Sequence, residues 1–229
     1  MQNRKLWRAI FFFLLMGLSG GAARAQSGNI VVLNGGRTVL NLGAKPTTVV
    51  PAETVVPAET LPSTLVTIYS NLGTKNSRYN GDSGNGIVGQ NAGQLFPEAV
   101  ANAFTPTADH VVQAIQIALT YVSGANAVNV FLTENVNGNP EKPLHGWRLT
   151  NLPEFGGCCV LQTLIDRVGI PVKANTQYWV VVAPDLDSDT YAVWDNNIKN
   201  LSGAWDNDNG TGWNGQSYQT LNAYAVYGQ

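Results

Sequence analysis

The chain has 229 residues, with 13 basic and 15 acidic side chains, a formal charge of −2 and only 12% charged residues. So little charge leaves no material for long Glu/Lys-faced helices. The absence of a basic cluster removes the phosphate-neutralising surface on which nucleic-acid binding rests, and it excludes anionic membrane surfaces as partners on the same ground.

The first 25 residues form a unit of their own. Arg4, Lys5 and Arg8 make a basic start, Ile10 to Leu18 an apolar run, and Ala23-Arg24-Ala25 an A-x-A end. This is the pattern of a secretory signal peptide, and the run is too short for a bilayer, which needs about 20 residues. Removal after Ala25 leaves 9 basic and 15 acidic residues, a charge of −6, and no membrane span in the mature chain. The expected location is secreted or extracellular, with the periplasm as the alternative.

Residues 26–64 read as an extended spacer rich in Pro, Val and Thr. Ile30–Leu33, the turn Asn34-Gly35-Gly36 and Thr38–Leu40 suggest a small hairpin. Val49-Val50-Pro51-Ala52-Glu53-Thr54 is then repeated as Val55-Val56-Pro57-Ala58-Glu59-Thr60. Each proline removes a backbone donor and extends the residue before it, which makes a semi-rigid linker.

From Leu65 onward short apolar segments alternate with Gly/Asn/Ser/Pro turns. Strands are predicted at 65–70, 101–105, 111–121, 128–133, 146–150, 158–165, 177–183, 190–195, 202–205 and 218–227. Within 111–121 the odd positions Val111, Ile115, Ile117, Leu119 and Tyr121 form one apolar face, broken at Gln113. Arg78 to Gly86 reads as a flexible turn, and Asn137-Gly138-Asn139-Pro140 as another. No segment has helical periodicity. The expected fold is all-β, an antiparallel jelly-roll-like β-sandwich forming a single domain over 65–229; a β-barrel is the structural alternative.

Several short motifs recur in a familiar order: Asn71-Leu72-Gly73, Tyr79-Asn80-Gly81, Ser83-Gly84, Phe104-Thr105-Pro106 and the strand through Ile117. They continue with Pro143-Leu144, Trp147, Leu152-Pro153-Glu154-Phe155-Gly156, Gln177-Tyr178-Trp179-Val180, Val193-Trp194, Trp205, Trp213 and Ala223-Tyr224-Ala225-Val226-Tyr227-Gly228. Together they resemble the choice-of-anchor R type of secreted bacterial domain, over roughly residues 65–229. The resemblance implies a jelly-roll-like sandwich on an exported or surface-displayed bacterial protein. It carries over no catalytic residues. Such proteins often continue into a C-terminal anchoring tail, whereas this sequence ends at Gln229, which puts anchoring at that end in doubt.

Gly81-Asp82-Ser83-Gly84 imitates the nucleophile segment of chymotrypsin-like proteases, but His110 and His145 both follow it, whereas that family's base precedes the serine. Neither histidine belongs to a spaced ligand set, and structural roles are expected for both. Asp185, Asp187 and Asp189 are candidate calcium ligands, as hard loop oxygens suit that cation, although the EF-hand template fails there; ordinary turn chemistry is the alternative. Trp205 and Trp213 flank Asp206-Asn207-Asp208-Asn209-Gly210. With Asp206 and Asp208 they are candidate sugar-binding residues, the rings for stacking and the carboxylates for hydroxyls; core packing is the alternative. Cys158 and Cys159 leave open a vicinal disulfide or free or intermolecular thiols, since adjacent Cα atoms lie closer than the usual disulfide range.

The expected function is a non-catalytic extracellular binding module, with a polysaccharide, another glycan or a cell-surface component as partner. A structural or self-associating matrix protein is the alternative, and a secreted glycoside hydrolase stands third. No cofactor is expected apart from calcium. Ligand and oligomeric state stay open.

Overall fold

The computed structural model describes residues 61–94, 96–185 and 187–229, together with the backbone of three strands ahead of them. The signal-like first 25 residues and the second hexapeptide copy lie outside the described residues. The described residues contain no helix, hence none long and apolar enough to cross a membrane. The fold is all-β, with antiparallel sheets in a sandwich arrangement.

Ahead of the sandwich, β1 (Asn29–Leu33) and β2 (Gly36–Leu42) pair antiparallel. β3 (Val50–Pro51), inside the first hexapeptide, runs parallel to β10 (Asn139–Thr150). The large sheet also contains β6 (Ala99–Phe104), β9 (Ala127–Val136), β12 (Tyr178–Ala183), β14 (Ser202–Asp208) and β15 (Ser217–Thr220). Its order is β15-β14-β6-β12-β9-β10-β3. A second sheet, β11-β7-β16-β4, is built from β4 (Val66–Ser70), β7 (His110–Ile117), β11 (Gln162–Val172) and β16 (Tyr224–Gly228). A third, β5-β13-β8, is built from β5 (Asn80–Val88), β8 (Leu119–Ser123) and β13 (Tyr191–Asn196).

Period-two side-chain alternation places the core between the layers. Val100 and Phe104 of β6, Val128, Val130 and Leu132 of β9, and Val180 and Val182 of β12 share one buried cluster. The same cluster holds Ile115, Ile117, Leu164 and Val226 of the second sheet and Trp194 of the third. The β9–β10 hairpin turns at Asn137-Gly138 with φ of 54° and 93°. Two consecutive positive φ values define the type I′ turn, which suits the twist of the paired strands and which Asn-Gly tolerates.

The structure revises several sequence expectations. The strand predicted at 111–121 is two strands, because Ala118 sits between sheets: its N–H reaches the Ala223 carbonyl and its own carbonyl accepts from Asp195 N–H. Val111 faces outward and Val112 is fully buried, since β7 changes register against both neighbours between Val112 and Ala114. The segment read as a flexible turn at 78–86 largely belongs to β5, hydrogen-bonded to β13. Its glycines permit close approach: a Cβ on Gly84 would collide with the Trp194 carbonyl, and one on Gly81 with the Gly157 carbonyl. The strand predicted at 158–165 begins at Gln162, and that predicted at 218–227 is broken at 221–223.

That second break carries the junction of all three sheets. Asn222 donates its N–H to Asn102 Oδ1 (3.1 Å) and accepts from Asn102 Nδ2 (2.9 Å), on β6 of the large sheet. Its own Nδ2 serves Asn85 Oδ1 (2.9 Å), Asn196 Oδ1 (3.2 Å) and the Trp194 carbonyl of the third sheet. Its carbonyl accepts from Asn71 Nδ2 (2.7 Å), and Asn71 Oδ1 accepts from Tyr224 N–H (2.8 Å) in the second. Asn71, Asn102 and Asn222 are all fully buried. Orphaning a buried polar group costs about 1–3 kcal/mol. Asn222→Ala orphans more than one, so chemical denaturation should show a loss of about 3 kcal/mol or more. A control change at exposed Gln219 should stay within about 0.5 kcal/mol.

Candidate functional site

The four tryptophans of the last third have different surroundings. Trp179 and Trp194 are fully buried; their indole N–H groups reach Asn135 Oδ1 and the Ala223 carbonyl, each at 3.1 Å. Trp205, expected to be exposed, is only 8% exposed and belongs to the main core. The reason is register: it pairs with Asn102, whose side chain points into the sandwich, and paired residues share a face. Trp205 is therefore no stacking platform. Trp213 is half-buried and packs on a second cluster, formed by Ala101, Ala103, Phe131, Trp179, Val181 and Ala183 on the outward face of the large sheet.

The loop that carries Trp213 is held by its own polar side chains. Asp208 Oδ1 accepts from the N–H of Gly210 (2.8 Å) and of Gly212 (3.0 Å). Asn209 Oδ1 accepts from Thr211 Oγ1 (2.8 Å). Asn214 returns to Asn207 through its N–H (2.9 Å) and its Nδ2 (3.1 Å). Asp206 is fully buried, its Oδ1 accepting from Asn207 N–H at 2.8 Å while Oδ2 has no partner. Burial pushes its pKa up to about 6, against the pull of nearby backbone N–H groups. Asp206 and Asp208 thus serve first to shape the loop.

Beyond the loop, β15 is the outermost described strand on that side of the large sheet. Tyr218 on this strand is 79% exposed. It pairs with Ala204, which packs on the same outward-face cluster as Trp213, so both aromatic residues lie on one side of the β14–β15 ladder. Amides accompany them: Asn214 at the loop end, and Gln216 accepting from Gln177 Nε2 at 3.0 Å. The exposed phenol lies opposite Ala204 and the half-buried indole opposite Asp208, on the same side of the ladder and four residues apart along β14. Sequence reading passed over Tyr218, because in a predicted strand a tyrosine reads as core.

The calcium candidates are dispersed. Asp185 is held by Arg148, Nη1 to Oδ1 at 2.7 Å and Nη2 to Oδ2 at 2.6 Å, with Asn129 Nδ2 at 3.0 Å. Hydrogen bonding to Asp185 raises the Arg148 pKa against the opposing effect of burial, and the Asp185 charge adds to the rise. Asp189 Oδ1 caps Ala125 N–H at 2.8 Å, and Asp187 offers its backbone carbonyl to Asn91 Nδ2 at 2.7 Å. Among the described residues no three His, Cys, Asp or Glu side chains gather at one point.

Ser83 Oγ accepts from Asn196 Nδ2 at 3.3 Å. His110 Nδ1 lies 3.3 Å from the Gln229 carbonyl. His145 lines an open cavity of about 570 Å³ with Leu144, Asp166, Val168, Gly169, Ile170 and Pro171. Its Nδ1 lies 3.3 Å from Asp166 Oδ2, and its ring packs on Trp147. Burial lowers the His145 pKa, and Asp166 opposes that. Asp166 also accepts from Val168 and Gly169 N–H, closing the bulge between Ile165 and Ile170. Cys158 and Cys159 are joined as a vicinal disulfide, with Arg78 N–H 3.2 Å from Cys159 Sγ.

A second buried carboxyl, Asp195, is fully enclosed with Oδ1 unpartnered. Burial pushes its pKa to about 7, against the hydrogen bond from Thr120 Oγ1 at 3.1 Å. Both carboxyls bind their proton more tightly folded than unfolded. Their contribution to stability is therefore full below the ordinary Asp value near 3.8 and is lost as pH rises through about 6 for Asp206 and about 7 for Asp195. Compared with the parent, Asp195→Asn should lose less stability between pH 4 and 8 and be more stable at pH 8, measured by urea unfolding across that range. Asp206→Asn should show the same sign, complete by a lower pH. Compared with known proteins, the chain matches no family model and no curated protein at a significant level.

Proposed function

We propose that the chain is an exported, non-catalytic β-sandwich module that binds a polysaccharide or cell-envelope glycan at the β14–β15 edge. The carrying observation is Tyr218, 79% exposed on the same side of the ladder as half-buried Trp213. Flat aromatic faces favour the apolar faces of sugar rings, and a few fixed amides supply orientation. The signal-like N-terminus and the motif resemblance to choice-of-anchor R domains support an exported setting. On this reading the acidic loop side chains hold the loop, and Tyr218 replaces Trp205 as Trp213's partner.

Pull-down on insoluble polysaccharides and a glycan array should detect binding by the chain that begins at Gln26. Tyr218→Ala/Trp213→Ala should reduce it at least about tenfold, which corresponds to about 1.4 kcal/mol, with the unfolding midpoint little changed. Trp205→Ala should instead lose about 3–5 kcal/mol of stability. Binding unaffected in the double variant, or no glycan bound by the parent chain, would sink the proposal. The outer edge of β15, which pairs with no further strand among the described residues, also favours a second reading, self-association by edge pairing. Sedimentation that depends on concentration and survives the double variant would favour it.

A further inference from the structure

The central strands of the large sheet are buried on both faces, and on the outward face buried Asn129, Thr133 and Asp206 border an apolar strip. The sheet's inward face meets the second and third sheets. Its outward face carries Ala101 and Ala103 of β6, Trp179, Val181 and Ala183 of β12, and Phe131 of β9, none more than 8% exposed. Backbone register makes this one continuous strip: Trp179 pairs with Ala103, and Val181 with both Ala101 and Phe131. Among the described apolar residues, Trp213 alone comes from outside the sheet to pack on this strip. One indole does not cover three strands, and an antiparallel sheet with nothing on its second face would carry polar residues there.

We infer that the N-terminal segment through β1, β2 and β3 covers this face, so that it is a layer of the domain rather than a spacer ahead of it. Three observations point to this occupant. β3 extends the same sheet, with Val50 opposite Trp147 and Pro51 opposite Arg148. β2 lies against β10, at the same edge. Residues 43–49 alone separate β2 from β3. That length of chain spans at most about 25 Å, whereas crossing from β10 over β9 and β12 to β6 takes about 14 Å at the usual strand spacing. The hairpin sequence offers Ile30, Val31, Val32, Leu33, Val39 and Leu40, and an isolated two-stranded hairpin is marginal in water without an apolar surface to rest on.

The chain beginning at Gln26 provides the test. With Thr38→Cys carrying a nitroxide label, the amide signals of Phe131 and Val181 should be lost to paramagnetic broadening, while those of Ile115 and Leu164 on the opposite sheet persist. Retained Phe131 and Val181 signals would overturn the inference. So would broadening that passes from labelled chains to separate isotope-labelled chains, because the occupant would then be a second copy. A protease site placed at 54–59 gives an independent readout: after cleavage, the N-terminal fragment should stay bound one-to-one in a monomeric species. Release of the fragment without change in tryptophan fluorescence, or its retention only in dimers, would count against it.

Discussion

The fold turns on one side chain that serves three sheets. Asn222 bonds to Asn102 in the large sheet, to Trp194, Asn196 and Asn85 in the third, and through Asn71 to Tyr224 in the second. A primary amide suits the position because it donates and accepts from one rigid plane. In a water-free interior each bond strengthens, while any missing one is costly. Apolar packing drives the layers together with little regard for direction, whereas these bonds fix where β16 stands relative to β6 and β13. Asn102, Trp205's cross-strand partner, sits in this network, so the position of β14 and of the loop beyond it follows from the same junction.

Around that junction the polar interior is unusually rich in amides. Asn71, Asn102, Asn129, Asn197 and Asn222 are all essentially buried. Asn197 closes the turn before β14, accepting from Leu201 N–H at 2.8 Å and donating to its carbonyl, also at 2.8 Å. Asn126 does the same between β9 and the 151–154 segment, with Leu152 N–H at 2.7 Å and the Leu152 carbonyl at 3.0 Å. These amides do for the breaks between strands what the ladder does within them. This is why a chain with only 12% charged residues satisfies so many irregular backbone groups.

How much of this was legible in the sequence depended on whether the cause was local. The Asn137-Gly138 hairpin and the strands at 127–136 and 178–183 follow from turn chemistry and runs of β-branched residues, both written in adjacent positions. The Gly81–Gly86 segment misled, because glycine signals both a turn and a close approach of backbones, and only the neighbouring β13 decides between them. Trp205 and Trp213 flank the same loop. One enters the core and the other stays half-buried, because β14 keeps strict alternation as far as Asp208 and the loop begins only there. Tyr218 was hidden for the opposite reason: its exposure follows from standing on the last strand of a sheet, which is a fact of topology rather than composition.

The runs Tyr178-Trp179-Val180-Val181-Val182-Ala183 and Val128-Asn129-Val130-Phe131-Leu132 held a further message. A strand that meets water on one side alternates, whereas one apolar at successive positions is enclosed on both. In β12 Val180 and Val182 enter the main core, while Trp179 and Val181 enter the outward cluster. The same outward cluster supports Trp213. A half-buried indole is held in place by what lies beneath it. The position of that indole therefore depends on the outward strip staying dry, so whatever covers Phe131 and Val181 also steadies Trp213.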